Sequence, residues 1–296
     1  MSAELIDGQV IAARIRRQAA EQAGDLRTQG VQVRLDAIMV GDPAAGAIYA
    51  RSQETRCHEA GIAYRLHTLP ADVSAAEIRA KIQELNEDSQ VTGIMLNMPV
   101  PEPIDAPAMQ YCIDPYKDVE GVNPANIGLL FYDSPIIAPC TALAVMEVLK
   151  EARCEPRGLD AVVVGQGAIA GRPVGLFLLH KFATVTGCHV ATRDLAAHTR
   201  QADVLVVAVG RPELIGSEHV KPGALVIDVG INRVIDSATG EKRTVGDVKF
   251  DEVKEVAAAI TPVPGGVGPV TVAILLRSAV EAARKQLGQR RIVSAV

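Results

Sequence analysis

Residues Val162-Val163-Val164 run straight into Gly165-Gln166-Gly167-Ala168-Ile169-Ala170-Gly171-Arg172-Pro173. A β-branched run that breaks into closely spaced glycines, then resumes as an apolar helix-compatible stretch, predicts a strand, a phosphate turn and a helix. Glycine admits positive φ and lets a pyrophosphate approach the backbone amides, while the positive end of the following helix faces the anion. The spacing is GxGxxxG and not the full GxGxxG fingerprint, so an ordinary tight turn stays open as the alternative. A second cluster, Gly265, Gly266 and Gly268 set among Pro262, Pro264 and Pro269, predicts a rigid loop that allows close backbone approach to a ligand. Cys57, Cys112, Cys140, Cys154 and Cys188 are odd in number, widely spaced and never arranged as CxxC, which argues against a disulfide framework or a structural zinc site. Cys140 and Cys188 read as small buried residues, not nucleophiles. The six histidines lack HExxH spacing, and no metal site is expected.

Ordered elements must position these loops, and the apolar patterning predicts them. Leu5 to Thr28 reads as an amphipathic helix stopped at Gly30. Val33 to Val40 reads as a strand ending in the Gly41-Asp42-Pro43 turn, Ala44 to Ala60 as a helix ending at Gly61, and Tyr64 to Leu69 as a second strand. Ser74, with Asp72 as a competing cap, opens a helix over Ala75 to Leu85. Val91 to Met98 is a third strand, closed by the Pro99 to Pro103 segment. This βαβ rhythm predicts a parallel sheet whose ligands collect beyond the strands' carboxyl ends, among Gly41 to Tyr49, Pro99 to Pro103 and Lys117 to Gly121. Asp114 to Pro139, rich in Pro, Gly, Asn and Asp, is expected to be a long irregular crossing. A helix over Thr141 to Ala152 and strands at Leu159 to Val164, Thr184 to Val190, Val204 to Val209 and Ala224 to Val229 repeat the α/β pattern, and Pro269 to Gln286 is a long closing helix.

A chain of 296 residues, 48% hydrophobic and 22% charged, suits two α/β lobes with packed cores. A net charge of -5 offers no basic field for nucleic acid or an anionic membrane. Met1 to Asp7 carries no basic apolar leader and no long apolar run occurs, so a soluble, cytoplasmic protein is expected.

Ile6-Asp7-Gly8, Lys117-Asp118-Val119-Glu120-Gly121 with Pro124 and Asn126-Ile127-Gly128, and Pro139-Cys140-Thr141 form an ordered series with four later motifs. These are Ala170-Gly171-Arg172-Pro173, Asp228-Val229-Gly230-Ile231-Asn232, Gly246-Asp247-Val248 and the Thr261 to Thr271 loop. In order and spacing, over nearly the whole chain, the series resembles the methylenetetrahydrofolate dehydrogenase/cyclohydrolase family of FolD-type enzymes. The resemblance implies a two-lobe α/β homodimer. Residues 1–138 would form the folate-binding catalytic domain and 139–269 a Rossmann-like NAD(P)-binding domain, with helix 270–296 packing back on the first. It implies folate contacts at Tyr49, Gln53, Asn97, Asp118, Glu120, Pro264, Gly265 and Gly266, with Tyr49, Gln53 and Asn97 as the catalytic set. Dinucleotide contacts would be Gly165, Gln166, Gly167, Ile169, Gly171, Arg172, Pro173, His189, Val209, Gly210, Ile231 and Thr271.

The chain departs from the family at its chemistry. Where relatives carry a tyrosine and, four residues on, a lysine, this chain has Tyr49 and Gln53 on what would be one helix face. Tyr49 can stack on a pterin, but the carboxamide of Gln53 cannot accept or donate a proton at neutral pH. As a polar helix residue Gln53 otherwise reads as a surface position. Asn97 stands for the family's Gln and Glu120 for its second Asp, while Asp118 could cap a turn instead of binding and Glu120 could meet the pterin's N–H edge. Gln166, Gly167, Val190 and Ala191 supply few donors for a 2'-phosphate, which leaves NAD and NADP open unless Arg172 or Arg193 contributes. The expected activity is NAD(P)-dependent oxidation of 5,10-methylenetetrahydrofolate with cyclohydrolase activity lost or weakened. The alternatives are a pocket refitted for another one-carbon folate or pterin-like substrate, or a non-catalytic folate or dinucleotide binder.

Overall fold

The computed structural model describes residues 2–41, 44–235 and 240–294, with the side chains of 44–50 and 290–294 outside the described residues. The chain divides into two compact units, one of Met1–Ala13 with Pro139–Ile274, the other of Arg14–Ala138 with Leu275–Val296. The first thirteen residues, which the sequence places with residues 14–138, group with the later unit because their strand joins its sheet.

That strand, β1 (Glu4–Leu5), leads into α1 (Gly8–Thr28), whose Ile11, Ile15, Ala19 and Ala23 are buried at helical spacing. The order continues with β2 (Arg34–Val40), α2 (Ala44–Glu59), β3 (Ala63–Leu69), α3 (Ala75–Glu87) and β4 (Gly93–Leu96). The three strands form a parallel sheet in the order β3-β2-β4. β2 lies at the centre with every residue buried, as a strand covered on both faces must. α3 opens with a reciprocal cap: the Ser74 hydroxyl accepts from the Glu77 N–H at 3.3 Å, and the Glu77 carboxylate accepts from the Ser74 N–H at 2.8 Å. Beyond α4 (Ala106–Gln110), the expected irregular crossing contains a further helix, α5 (Pro124–Phe131). Asn123 caps it by accepting from the Ala125 N–H at 2.8 Å, and Pro124 fills its first turn. Eight residues are too few to display an apolar period against a Pro- and Asn-rich background, so cap chemistry was its only sequence signal.

The other unit contains α6 (Cys140–Glu151), β5 (Asp160–Val164), α7 (Gly171–His180), β6 (Thr184–Cys188), α8 (Leu195–Thr199), β7 (Val204–Val207) and β8 (Leu225–Asp228). An antiparallel hairpin of β9 (Asn232–Ile235) and β10 (Lys242–Val245), then α9 (Phe250–Val253) and β11 (Ala259–Ile260), complete it. Its six-stranded sheet is parallel throughout, ordered β1-β11-β8-β7-β5-β6. Val162, Val164, Leu205, Val207, Val226 and Ile260 from four of these strands share one core. The closing helix α10 (Val267–Ser294) starts inside the glycine-proline loop, earlier than its apolar pattern suggests. Its second half belongs with residues 14–138, where the Gln286 amide donates to the carbonyls of Thr92 at 2.8 Å and Tyr116 at 2.9 Å. Among the described residues no helix is long and apolar enough to cross a membrane.

In each of the two parallel sheets one strand lies between the next two in sequence, β2 between β3 and β4 and β5 between β6 and β7. Such a switch in strand order is where ligands bind in open α/β sheets, beyond the carboxyl ends of the strands.

Candidate functional site

In the unit of residues 14–138 the predicted residues lie on α2, just after β4 and in the Lys117–Gly121 loop. Tyr49 lies on α2, four residues before Gln53, with its side chain outside the described residues. Gln53 is only 4% exposed, so its reading as a surface position is corrected. α2 turns this face onto the sheet, where the Gln53 Oε1 accepts from the Tyr64 hydroxyl at 3.0 Å and Nε2 donates to the Met95 Sδ at 3.3 Å. Helical spacing placed residues 49 and 53 on one face; it could not tell which face the sheet covers. Asn97 follows β4, its N–H donating to the Ile38 carbonyl at 2.8 Å. Its side-chain Oδ1 and Nδ2 are both buried and have no hydrogen-bond partner among the described residues. A buried amide unsatisfied at both ends marks a position that a ligand or water completes.

The Lys117–Gly121 loop extends the same sheet. The Ile94 N–H donates to the Lys117 carbonyl at 2.7 Å, and Ile94 bridges Asp118 in parallel. Lys117 reaches away, its Nζ donating to the carbonyls of Leu85, Asn86 and Asp88 at 2.6–3.0 Å. Asp118 is fully buried, accepting from the N–H groups of Gly121 at 3.0 Å and Asn123 at 2.7 Å and from the Asn126 amide at 3.1 Å. Burial pushes its carboxyl upward and these donors oppose the shift. Its oxygens shape the loop, the turn-capping alternative. Glu120, half-buried, bonds the Gln110 side chain of α4. Burial, then the charge of Asp118, pushes its carboxyl up to about 7. Glu120 sits two residues past the bridge and Asn97 three past Ile94, so both lie at the strand end whose Met95 touches Gln53. The site therefore presents one engaged amide, one unengaged amide and one carboxyl that titrates near neutrality.

The dinucleotide candidates lie in the other unit. Gly165 follows β5 at φ 100° and donates to the Cys188 carbonyl at 2.9 Å. A Cβ at Gly165 would collide with the Ala208 carbonyl and one at Gly171 with the Gly165 carbonyl, so strand, turn and helix close to backbone contact. At Gly167 an added Cβ meets nothing within 4 Å, leaving the outer face of the turn open at the start of α7. Arg172 and Ile169 are exposed beside it and Pro173 is buried in the first turn. Open backbone at a helix N-terminus is the donor set a pyrophosphate requires. Gln166 folds back, its Nε2 donating to the Val163 carbonyl at 3.0 Å and its amide resting on Gly187, where a Cβ would lie 3.0 Å away. His189 closes a turn after β6, its N–H donating to the Thr192 hydroxyl at 2.9 Å and its Nδ1 accepting from the Ala191 N–H at 3.2 Å. Val209 and Gly210 follow β7; exposed Ile231 follows β8. Pro264, Gly265 and Gly266 belong to this unit too, lining a hollow of about 150 Å³ with Gly230 and Ile231. Gly8 braces that loop, its N–H donating to the Gly265 carbonyl at 2.9 Å, and a Cβ there would strike the Gly266 carbonyl. Thr271, on α10, bonds back to the Val267 carbonyl at 3.2 Å. The sequence assigns no role to Tyr64, Gln110, Asp228, Asn232 or Asp247. The last three stand in motifs that signalled them; nothing local signalled Tyr64 or Gln110. Among the described residues, no three His, Cys, Asp or Glu side chains gather where they could hold a metal.

Two family models match the chain: the catalytic domain of tetrahydrofolate dehydrogenase/cyclohydrolase over residues 6–120, and its NAD(P)-binding domain over residues 139–287. A bifunctional protein FolD of Moorella thermoacetica is 46% identical over 285 residues, covering 96% of this chain and 100% of that protein. FolD 2 of Mesorhizobium japonicum is 47% identical over 281 residues, covering 95% and 92%. Among solved structures, the bifunctional FolD of Campylobacter jejuni superimposes with a TM-score of 0.91 at 40% identity, covering 96% of this chain and 100% of that one. The Trypanosoma brucei enzyme, complexed with NADP and an inhibitor, gives 0.90 at 38% identity, covering 97% and 99%. With both domains matched in order and relatives aligned over nearly their full lengths, the chain belongs to the tetrahydrofolate dehydrogenase/cyclohydrolase family.

Proposed function

We propose that this protein oxidises 5,10-methylenetetrahydrofolate to 5,10-methenyltetrahydrofolate with NAD or NADP, as a cytoplasmic homodimer, and that its cyclohydrolase activity is lost or weakened. Residues 14–138 hold the folate and 139–269 the dinucleotide. The two reactions ask different things of a protein. Hydride leaves the methylene carbon under the push of a folate nitrogen lone pair, so the protein has chiefly to position two ligands. Tyr49, Asn97 and Glu120 serve that purpose on the folate side, and the Gly165–Gly171 turn with Val209, Gly210 and Ile231 on the other. A bound nicotinamide dinucleotide supplies the hydride acceptor.

Hydrolysis of the methenyl product adds water to a carbon and moves protons as the ring opens, which calls for a proton-carrying side chain. The single observation that carries the reading is Gln53. Its amide is engaged by the Tyr64 hydroxyl and the Met95 sulfur and neither gains nor loses a proton at neutral pH. Purified protein supplied with methylenetetrahydrofolate and each nicotinamide in turn should form reduced nicotinamide, with the methenyl species accumulating. No turnover with either cofactor refutes the dehydrogenase reading; methenyl decay well above the enzyme-free rate refutes the hydrolytic one.

A further inference from the structure

Two buried aspartates join the loops at the carboxyl edge of the six-stranded sheet. Asp228 ends β8; its Oδ1 accepts from the N–H groups of Gly230 at 2.9 Å and Asp247 at 3.1 Å, and its Oδ2 from Val248 at 3.0 Å. Its own N–H donates to the Thr261 hydroxyl at 2.9 Å. Asp247, held this way by its backbone and fully buried, points its carboxylate at two other loops. Oδ2 accepts from the N–H groups of Val209 at 2.7 Å and Gly210 at 2.9 Å, and Oδ1 from the Asn232 amide at 2.8 Å. Two glycines make the room: a Cβ at Gly246 would collide with the Asp228 carboxylate, and one at Gly230 with that of Asp247. Neither glycine has a positive φ, so close approach alone explains them.

We propose that Asp247 is a positioning residue for dinucleotide binding, fixing the Val209–Gly210 backbone after β7 and tying it through Asn232 to the loop after β8. This rests on the reading of Val209, Gly210 and Ile231 as dinucleotide contacts. Three N–H donors from two loops converge on one side chain, which must accept at both oxygens; a carboxylate does so in any rotation. Backbone amides turned inward onto Asp247 cannot wander, so the outer surface of that loop is set before a ligand arrives. The Ala208 carbonyl, next along, packs against Gly165, so a shift of this loop would be felt at the phosphate turn.

The test compares Asp247→Ala, Asp247→Asn and Asn232→Ala in the full chain, reading calorimetric Kd for NAD and NADP, steady-state KM and kcat, and melting temperature. Asp247→Ala strands three donors and should raise dinucleotide Kd and KM by on the order of tenfold or more. The KM for folate and kcat should stay within about threefold. Asp247→Asn should recover most of the loss, because its carbonyl can still serve Val209 and Gly210 while the Asn232 amide flips to accept from its NH2. Asn232→Ala should give an intermediate rise, and it decides the question together with Asp247→Asn if Asp247→Ala fails to fold. Unchanged dinucleotide Kd in a folded Asp247→Ala overturns the proposal. So does an equal deterioration of both KM values and kcat in step with a lowered melting temperature, or, where Asp247→Ala does not fold, unchanged Kd in Asn232→Ala. Wild-type protein that binds neither dinucleotide would instead overturn the reading on which the proposal rests.

Discussion

Replacing Gln53 by lysine would return a proton-carrying group to a site that has none at this position. The amide it replaces is 4% exposed and makes one good hydrogen bond, from the Tyr64 hydroxyl at 3.0 Å, and one weak contact, to the Met95 sulfur at 3.3 Å. Lysine forfeits the acceptor but lets the Tyr64 hydroxyl rotate and accept in its turn, so the net polar loss is small. The larger cost is burying a cation, and we expect a destabilisation of about 1–3 kcal/mol. Burial also drags the lysine pKa down toward neutrality, which is where a proton-transfer group works best. General acid–base catalysis contributes about 10²–10⁴-fold when well placed, so methenyltetrahydrofolate hydrolysis in Gln53→Lys should rise by at least about tenfold over wild type. The dehydrogenase rate, which rests on positioning, should change by less than about threefold. Decay of the methenyl absorption band gives the first rate and formation of reduced nicotinamide the second. Brisk hydrolysis by the wild type, or a folded, folate-binding Gln53→Lys with unchanged hydrolysis, would refute the assignment of the missing activity to residue 53.

Asn97→Leu should raise the folate KM while stabilising the ligand-free protein by about 1 kcal/mol in chemical denaturation, because it removes a buried amide with no partner at either end. Glu120→Gln should flatten the pH dependence of stability. The folded carboxyl titrates at about 7 against about 4.3 unfolded, so the native state holds the extra proton and wild-type stability falls as pH rises between those values. Urea melts at the two ends of that window should show the variant gaining on wild type toward the alkaline end; a gain toward the acid end would contradict the sign. Gly171→Ala places a methyl against the Gly165 carbonyl and should cost about 1–3 kcal/mol and weaken dinucleotide binding, read by thermal melting and calorimetry.

The electrostatics of the folate-side site differ from a lysine-based design in a specific way. Lys117, three residues before Glu120, is committed to three carbonyls around the end of α3. Asp118 is committed to the backbone and to Asn126. Glu120 is a group whose ionisation changes near neutral pH. Its carboxyl is paired with the Gln110 side chain of α4, so repacking α4 would retune it.

Much of the architecture was legible in the chain because local rules and tertiary structure agree. The alternation of β-branched runs with helical stretches specified two parallel sheets, and the run Val162–Val164 into Gly165 specified the strand, turn and helix found there. Gly165 needs its positive φ and Gly171 its missing Cβ, requirements that a sequence displays directly as glycine. The motif series displayed the family for the same reason: loops that meet ligands are constrained residue by residue. Where sequence and structure part, the cause is a contact between distant segments. α5 was hidden because eight residues carry too little period, and β1 was hidden because two residues form a strand only when β11 lies beside them. Gln53 looked like a surface polar residue until β3 and β4 supplied Tyr64 and Met95 to cover it. Asn97 and Glu120 were visible as substitutions, but the empty amide and the raised carboxyl arise from burial. The sequence by itself thus determined the scaffold, the family and the identity of the groups that could react. Only the tertiary structure decided which of them are engaged, buried or able to titrate, because solvation and hydrogen-bond partners come from residues tens of positions away.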